Sequence, residues 1–186
     1  MTAQMPETVR IRGSYYALCG IRGEGLFDHE SHGLETVAPH AACWRGVICG
    51  YAIVDNRLVL EEIELWSNAS RWLHNLARLE VLFGENILLD EKNHRFHAAR
   101  LGFVVPFTGA LLLGDGFIKE LPALMGFHPP FMYRKVLELT FESGFLLSES
   151  DRSMQMSEVR RIEAHKGTHR DGDPGDWIRD SLRLDY

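Results

Sequence analysis

The stretch CWRGVICGYAIVDNRLVLEEIEL, residues 43–65, decides the fold because it predicts a β-hairpin on which the other elements pack. Two apolar runs flank Asp55-Asn56, a pair that tolerates the positive φ values of a tight hairpin turn. The turn places Val54 opposite Arg57 and so sets the register. One face of the hairpin then carries a continuous set of apolar side chains, those of Cys49, Tyr51, Ile53, Leu58 and Leu60.

The acidic end of this hairpin predicts a β-bulge. A strict two-residue period would place Ile63 and Leu65 on the face opposite to these apolar residues. One extra residue at Glu61-Glu62 returns both to the apolar face and leaves the carboxylates of Glu61, Glu62 and Glu64 free to reach water. A solvated strand edge explains these acids most simply, and a partner-binding surface or a pair of catalytic acids is the alternative.

Further strands and one helix follow from periodicity. Alternation of apolar and polar residues predicts strands at 7–12, 15–19 and 136–142, and an apolar run with a Gly-Asp-Gly turn predicts a second hairpin at 104–121. Apolar residues at three- and four-residue steps after Trp66 predict an amphipathic helix that ends at Gly84, with Ser67 or Asn68 as its cap. The glycine-rich residues 20–39 are expected to form a long loop.

These elements predict an α+β fold. It is expected to be a mainly antiparallel β-sheet, either a sandwich or a partly open barrel, with one covering helix. Residues 1–148 are predicted to form a single β-rich domain, because the composition becomes polar beyond Ser148. Residues 149–186 are expected to be a polar C-terminal extension with one or two short helices, the second beginning at Asp173.

Composition narrows the class of partner and the compartment. A formal charge of -6, from 20 basic and 26 acidic residues, argues against binding to nucleic acid or to an anionic membrane surface. Cys19, Cys43 and Cys49 are an odd number of thiols at spacings that fit no disulfide framework, which favours a reducing compartment. Without a signal-peptide pattern or an uninterrupted apolar span, the chain is expected to be cytoplasmic.

The histidines supply the main candidate for a metal site. His29-x-x-His32 and His40-x-x-Cys43 place nitrogen and sulfur donors of the kind that zinc prefers within one loop. Structural zinc sites usually have spaced cysteine pairs, so loop histidines and a core cysteine are the favoured interpretation. His40 with Cys43 or Cys49 could form a catalytic pair of base and thiol. This interpretation is disfavoured, because both cysteines lie in or beside the hairpin, where cysteine behaves as a small buried apolar residue.

Other motifs fail on inspection, and no cofactor is expected. Asp171-Gly-Asp173-Pro-Gly-Asp176 opens like a calcium loop but has Asp176 where glycine is required and Leu182 where glutamate is required. Gly20-x-x-Gly23-x-Gly25 fits no phosphate-binding fingerprint and is interpreted as a flexible turn. The chain also has no Gly-x-Ser-x-Gly nucleophile elbow.

One resemblance rests on the order of strand and turn residues. Cys43-Trp-Arg-Gly46 with DNRLVLEEIE, then PFTGAL at 106–111, Gly116 and LELTFESG at 137–144, resembles a group of small, uncharacterised bacterial proteins. Val47 and Phe107 depart from that group, which tends to carry a bulky aromatic residue and a tryptophan there. The resemblance implies no catalytic residue. Some such proteins accompany toxin systems, so it implies an immunity or partner-binding role.

Three functional hypotheses follow. The first is a non-enzymatic binding protein, such as an immunity protein whose acidic surface neutralises a basic toxin. The second is a metal-binding protein or an enzyme that uses the histidine-rich loop of residues 29–43. The third is an oligomeric structural protein that assembles through its C-terminal extension.

Overall fold

The computed structural model describes residues 3–84, 86–121 and 126–163. In these ranges two helices, α1 (Trp72–Phe83) and α2 (Ser153–Glu163), accompany nine strands. The strands are β1 (Thr8–Ile11), β2 (Ser14–Glu24), β3 (Val47–Val54), β4 (Arg57–Trp66), β5 (Ile87–Asp90), β6 (Arg95–Val104), β7 (Thr108–Phe117), β8 (Tyr133–Glu142) and β9 (Phe145–Asp151). The predicted α+β class is confirmed.

The strands form one sheet that curls back on itself. Their spatial order is β3-β1-β2-β7-β8-β9-β4-β6-β5. Strand β3 also pairs with β4, so the strands from β3 to β4 in this order form a closed ring. Among the strand pairs described, β1 with β3 is parallel and the others are antiparallel. The ring closes narrowly, because β4 and β9 share only the pair Arg57 and Phe145. Strands β6 and β5 continue outward from β4 as an extension of the barrel.

The hairpin is confirmed in register, turn and bulge. Val54 lies opposite Arg57, and Asp55 and Asn56 have φ values of 47° and 64°. This pair of left-handed residues matches the twist of the two strands. Gly50 pairs with Glu62 and Tyr51 with Leu60, which leaves Glu61 as the extra residue of the bulge. The pairing returns Ile63 and Leu65 to the buried face.

Three apolar clusters account for most of the burial. The barrel interior is filled by side chains from its strands, including those of Val9, Leu18, Tyr51, Leu60, Ile63, Phe107, Leu111, Leu139 and Phe141. Outside the barrel, a second cluster lies on β2, β7 and β8 and includes Cys19, Leu112, Tyr133, Val136 and Met156. Beneath α1, a third cluster comprises Leu34, Leu65, Leu79 and Phe96. The helix covers one end of the sheet, as predicted.

The flexible turn predicted at Gly20 to Gly25 is wrong. β2 continues to Glu24, and the strand pairs with β7 along this stretch. A Cβ on Gly23 would lie 2.1 Å from the carbonyl oxygen of Thr108, so glycine is required by the close approach of the two strands. Gly20 and Gly23 therefore belong to the sheet, and Gly25 follows the end of the strand.

The second hairpin predicted around Gly114-Asp115-Gly116 is also wrong. These residues lie inside β7, which pairs with β8 as far as Phe117. A Cβ on Gly114 would lie 2.4 Å from the ring of Tyr133, so this glycine accommodates an aromatic ring. Strand β6 was not predicted, because Ala99-Arg100 breaks the alternation of polar and apolar residues that begins at Arg95. In the structure Arg100 and Gly102 have positive φ values.

The packed structure continues past residue 148. That boundary falls inside β9, and α2 follows with Met156 buried in the apolar cluster on β2, β7 and β8. Arg160 of α2 donates hydrogen bonds to the carbonyl oxygens of Phe131 and Tyr133. The helix predicted from Asp173 and the acidic motif at 171–176 lie outside the described residues. None of the helices described is long and apolar enough to cross a membrane.

Candidate functional site

The predicted loop donors His29 and His32 lie in separate environments. The Nε2 atom of His29 is 3.3 Å from the hydroxyl of Thr36, which itself donates to the carbonyl oxygen of Arg45. Burial lowers the pKa of His29, so its imidazole is neutral at pH 7. The ring of His32 stacks on Phe27 with 4.8 Å between ring centroids. Both histidines therefore serve as packing and hydrogen-bonding groups of the loop.

The other two loop donors are also apart from them. The ring of His40 lies edge-on to Trp66 with centroids 6.5 Å apart, and Cys43 is buried with its Sγ 4.0 Å from the carbonyl oxygen of Val47. Burial raises the pKa of the Cys43 thiol. Within the described residues, no three of these four donors form a cluster that could hold an ion. The structure thus does not assemble the metal site that the loop spacing suggested.

The three glutamates of the bulge each face a positively charged group or a histidine. Glu61 accepts two hydrogen bonds from Arg10, one of them from Nε at 2.9 Å. A carboxylate oxygen of Glu62 lies 2.6 Å from Nε2 of His97, and one of Glu64 lies 3.7 Å from the guanidinium of Arg95. All three carboxylates therefore have partners within the chain. The partner of Glu61 lies on β1, whereas the partners of Glu62 and Glu64 lie on β6.

The register of β4 with β6 creates a cluster of donors on the outer face of the sheet. Glu64 lies opposite His97 in the ladder. Glu62 precedes Glu64 by two residues on β4, so its side chain faces the same side of the sheet. Ile63 and Leu65 alternate with them and point into the core. As a result, an imidazole nitrogen and two carboxylate oxygens lie within 4.8 Å of one another. We call Glu62, Glu64 and His97 the outer cluster.

The outer cluster is open to solvent and built on rigid elements. The side chains of Glu62, Glu64 and His97 are 49%, 31% and 26% exposed, so an ion reaches the donors without any opening of the fold. β4 is hydrogen-bonded on both sides, to β3 and β6, which restricts the positions of the two carboxylates. The sequence offers one signal for the position of His97. Arg95, Phe96, His97 and Ala98 alternate between polar and apolar, which is typical of a strand with His97 on its outer face.

A cleft of about 480 Å³ lies beside the outer cluster. It is bounded by the loop that precedes β3, by the end of β4 and by the turn between β5 and β6. Its lining combines apolar, aromatic and polar side chains, those of Val37, Pro39, His40, Trp66, Ser67, Asp90, Asn93, His94 and Arg95. Trp66 and Arg95 are direct partners in the β4–β6 ladder, two positions along from Glu64 and His97.

Arg95 belongs to both the cleft and the outer cluster. Its guanidinium lies 3.7 Å from Glu64 and 3.8 Å from Asp90, which is too far for a hydrogen bond to either carboxylate. Asp90 instead accepts hydrogen bonds from the side chain and backbone of Asn93. These bonds are the main reason that the pKa of Asp90 is lowered. The guanidinium of Arg95 therefore forms ion pairs with Glu64 and Asp90 without a hydrogen bond to either carboxylate, so its N–H donors can still bind a ligand in the cleft.

No family model, curated protein or solved structure matches the chain. The resemblance to small bacterial proteins therefore stays a prediction.

Proposed function

We propose that this chain is a metal-binding protein that holds a divalent transition-metal ion such as Zn²⁺ with Glu62, Glu64 and His97. One observation carries the proposal: an imidazole and two carboxylates converge on one exposed face of two paired strands. Imidazole nitrogen and carboxylate oxygen are ligands of Zn²⁺ and related ions.

The spacing of the donor atoms supports this function. Zinc binds nitrogen and oxygen ligands at about 2.0–2.2 Å, so two ligands of one tetrahedral ion lie roughly 3.4 Å apart. The three donors lie within 4.8 Å of one another, and the His97–Glu62 contact of 2.6 Å needs only a small rotation to admit an ion. Three protein ligands leave a coordination position for water or an exogenous ligand.

The proposal retains the metal-binding hypothesis and moves it from the loop to the sheet. The loop donors are dispersed, whereas the outer cluster combines two of the three predicted partner-binding residues with a histidine from β6. The hypothesis of a basic protein partner stays a prediction. No contact favours it, since Glu61, Glu62 and Glu64 already face Arg10, His97 and Arg95 of the same chain.

Zinc titration of the untagged, metal-free full chain by isothermal calorimetry tests the proposal. We expect one bound ion per chain in the wild type. Glu64→Gln and His97→Ala should each weaken binding at least about tenfold, because each removes a ligand of an ion that has only three from the protein.

Glu61→Gln is the matched control, because it removes a neighbouring acid of the same hairpin that pairs with Arg10 and lies outside the outer cluster. His29→Ala with His32→Ala tests the loop in the same way. Circular dichroism checks that each variant is folded. Absence of zinc binding in the wild type, or an unchanged affinity in folded His97→Ala, would disprove the proposal.

A further inference from the structure

We infer that the cleft beside the outer cluster binds a small organic anion through Arg95, and that a metal ion on the outer cluster strengthens this binding. The coupling between ion and anion rests on the proposed metal-binding function. The anion site rests on the cleft itself and is tested separately below.

The position of Arg95 identifies the charge of the ligand. Its guanidinium lines the cleft and is 38% exposed, and both neighbouring carboxylates lie beyond hydrogen-bonding distance. A guanidinium presents a planar fork of N–H donors that matches a carboxylate, sulfonate or phosphate group. The carboxylate of Asp90, which stays charged, accepts hydrogen bonds from the side chain and backbone of Asn93, and these bonds direct it toward Asn93.

The remaining lining of the cleft identifies the body of the ligand. Trp66 and His40 present aromatic surfaces, and Val37 and Pro39 add apolar contacts. Ser67 and Asn93 supply neutral polar groups. A volume of about 480 Å³ falls in the range of small-molecule sites. The cleft therefore fits a compact anion that carries a flat apolar ring.

Glu64 links the two sites. Its carboxylate is a ligand of the proposed metal site and also lies 3.7 Å from Arg95, whose charge it partly offsets. An ion bound to Glu64 would withdraw that negative charge from Arg95 and add positive charge nearby, so the attraction of the cleft for an anion would increase. By linkage, an anion in the cleft would raise the affinity of the outer cluster for the ion by the same factor.

Naphthalene-2-sulfonate is the probe of choice, because it is an aromatic anion whose sulfonate is a poor zinc ligand. Its binding to the full chain is measured by calorimetry with and without zinc. We expect zinc to tighten binding about tenfold, within the usual range of coupling between two sites. Glu64→Gln without zinc should reproduce much of this gain, because it removes the same negative charge beside Arg95.

Arg95→Gln should abolish sulfonate binding, and Arg100→Gln, an exposed arginine of the same strand outside the cleft, should leave it unchanged. If zinc binds but neither zinc-loaded wild type nor Glu64→Gln binds the sulfonate, the inference is overturned and the proposed function stands. If zinc binds and the sulfonate affinity does not change, the coupling is overturned. If zinc does not bind, the proposed function fails, whereas Arg95-dependent binding by Glu64→Gln still supports the anion site.

Discussion

Tyr51 shows how single residues determine the chemistry of the barrel interior. It lies beside Cys49 on β3, near the ion pair in which Arg45 contacts Glu7 at 2.7 Å. Burial raises the pKa values of both Cys49 and Tyr51 well above their usual ranges. Both groups stay protonated at neutral pH, so neither supplies a thiolate or phenolate nucleophile. The interpretation of Cys49 as a core residue is confirmed.

The hydroxyl of Tyr51 leads to a prediction about stability. It is buried and has no hydrogen-bond partner among the described residues, and the weakly polar thiol of Cys49 lies beside it. Tyr51→Phe removes a polar group whose desolvation is not compensated, and should stabilise the fold by about 1 kcal/mol. Urea denaturation monitored by circular dichroism measures the change.

Tyr16→Phe is the matched control. Tyr16 is also buried, but its hydroxyl accepts a hydrogen bond from Lys135 at 3.1 Å. Its loss should destabilise the fold by about 1 kcal/mol, which is opposite in sign to the effect at Tyr51. Equal effects of the two substitutions would refute the assignment of an unpaired hydroxyl to Tyr51.

At the scale of elements, α1 holds the long loop between β2 and β3 in place. Asn75 of α1 is fully buried, and its amide donates to the carbonyl oxygen of Glu35 at 2.7 Å and to the hydroxyl of Ser67 at 2.8 Å. Its side-chain oxygen accepts a hydrogen bond from the backbone N–H of Glu35 at 3.0 Å. The predicted cap at Ser67 or Asn68 is wrong, because the helix begins at Trp72 with Arg71 as its N-cap and without a side-chain capping bond. Asn68 instead accepts a hydrogen bond from the backbone N–H of Arg71 in the turn before the helix.

Asn75→Ala should destabilise the protein by roughly 2–3 kcal/mol, because it removes a fully buried side chain together with its hydrogen bonds to the backbone of Glu35 and to Ser67. His74→Ala is the control on the same helix. The ring of His74 contacts the carbonyl oxygen of Gly33 at the surface, and its loss should change stability by less than about 0.5 kcal/mol. Chemical denaturation of both variants provides the comparison. A difference within experimental error between them would contradict the role given to Asn75.

At the scale of the whole molecule, a layer outside the barrel depends on the C-terminal helix. The apolar cluster on β2, β7 and β8 is covered by α2, and Met156 is the buried residue that α2 contributes to it. Packing of the extension therefore begins on its own domain. Assembly of several chains through residues beyond α2 stays a prediction, and the solution mass of the full chain compared with residues 1–163 measures it.

Met156→Ala should destabilise the fold by about 2–4 kcal/mol, because it removes a side chain that is only 3% exposed and leaves a cavity. Met154 lies two residues earlier on the same helix and is 90% exposed, so Met154→Ala should change stability by less than about 0.5 kcal/mol. Thermal unfolding of the two variants separates packing from helix propensity. Similar losses in both would show that α2 does not stabilise the barrel.

The sequence by itself determined the local elements of this protein. The turn at Asp55-Asn56, the bulge at Glu61 and the alternation in β8 depend on near neighbours, and each agrees with the structure. The sequence-based predictions are wrong at positions where contact with a distant strand determines the backbone conformation. The glycines at positions 23 and 114 were interpreted as turn residues, although their role is to admit Thr108 and Tyr133 to close contact.

Only the tertiary structure decided the candidate site. Glu62 and His97 are 35 residues apart in sequence, and their contact requires β6 to pair with β4 in one register. That register depends on the barrel and on α1, which buries Phe96 of β6 and Leu65 of β4 in a single cluster. Local spacing pointed to the loop histidines instead, because proximity along the chain is visible in a sequence and pairing between distant strands is not.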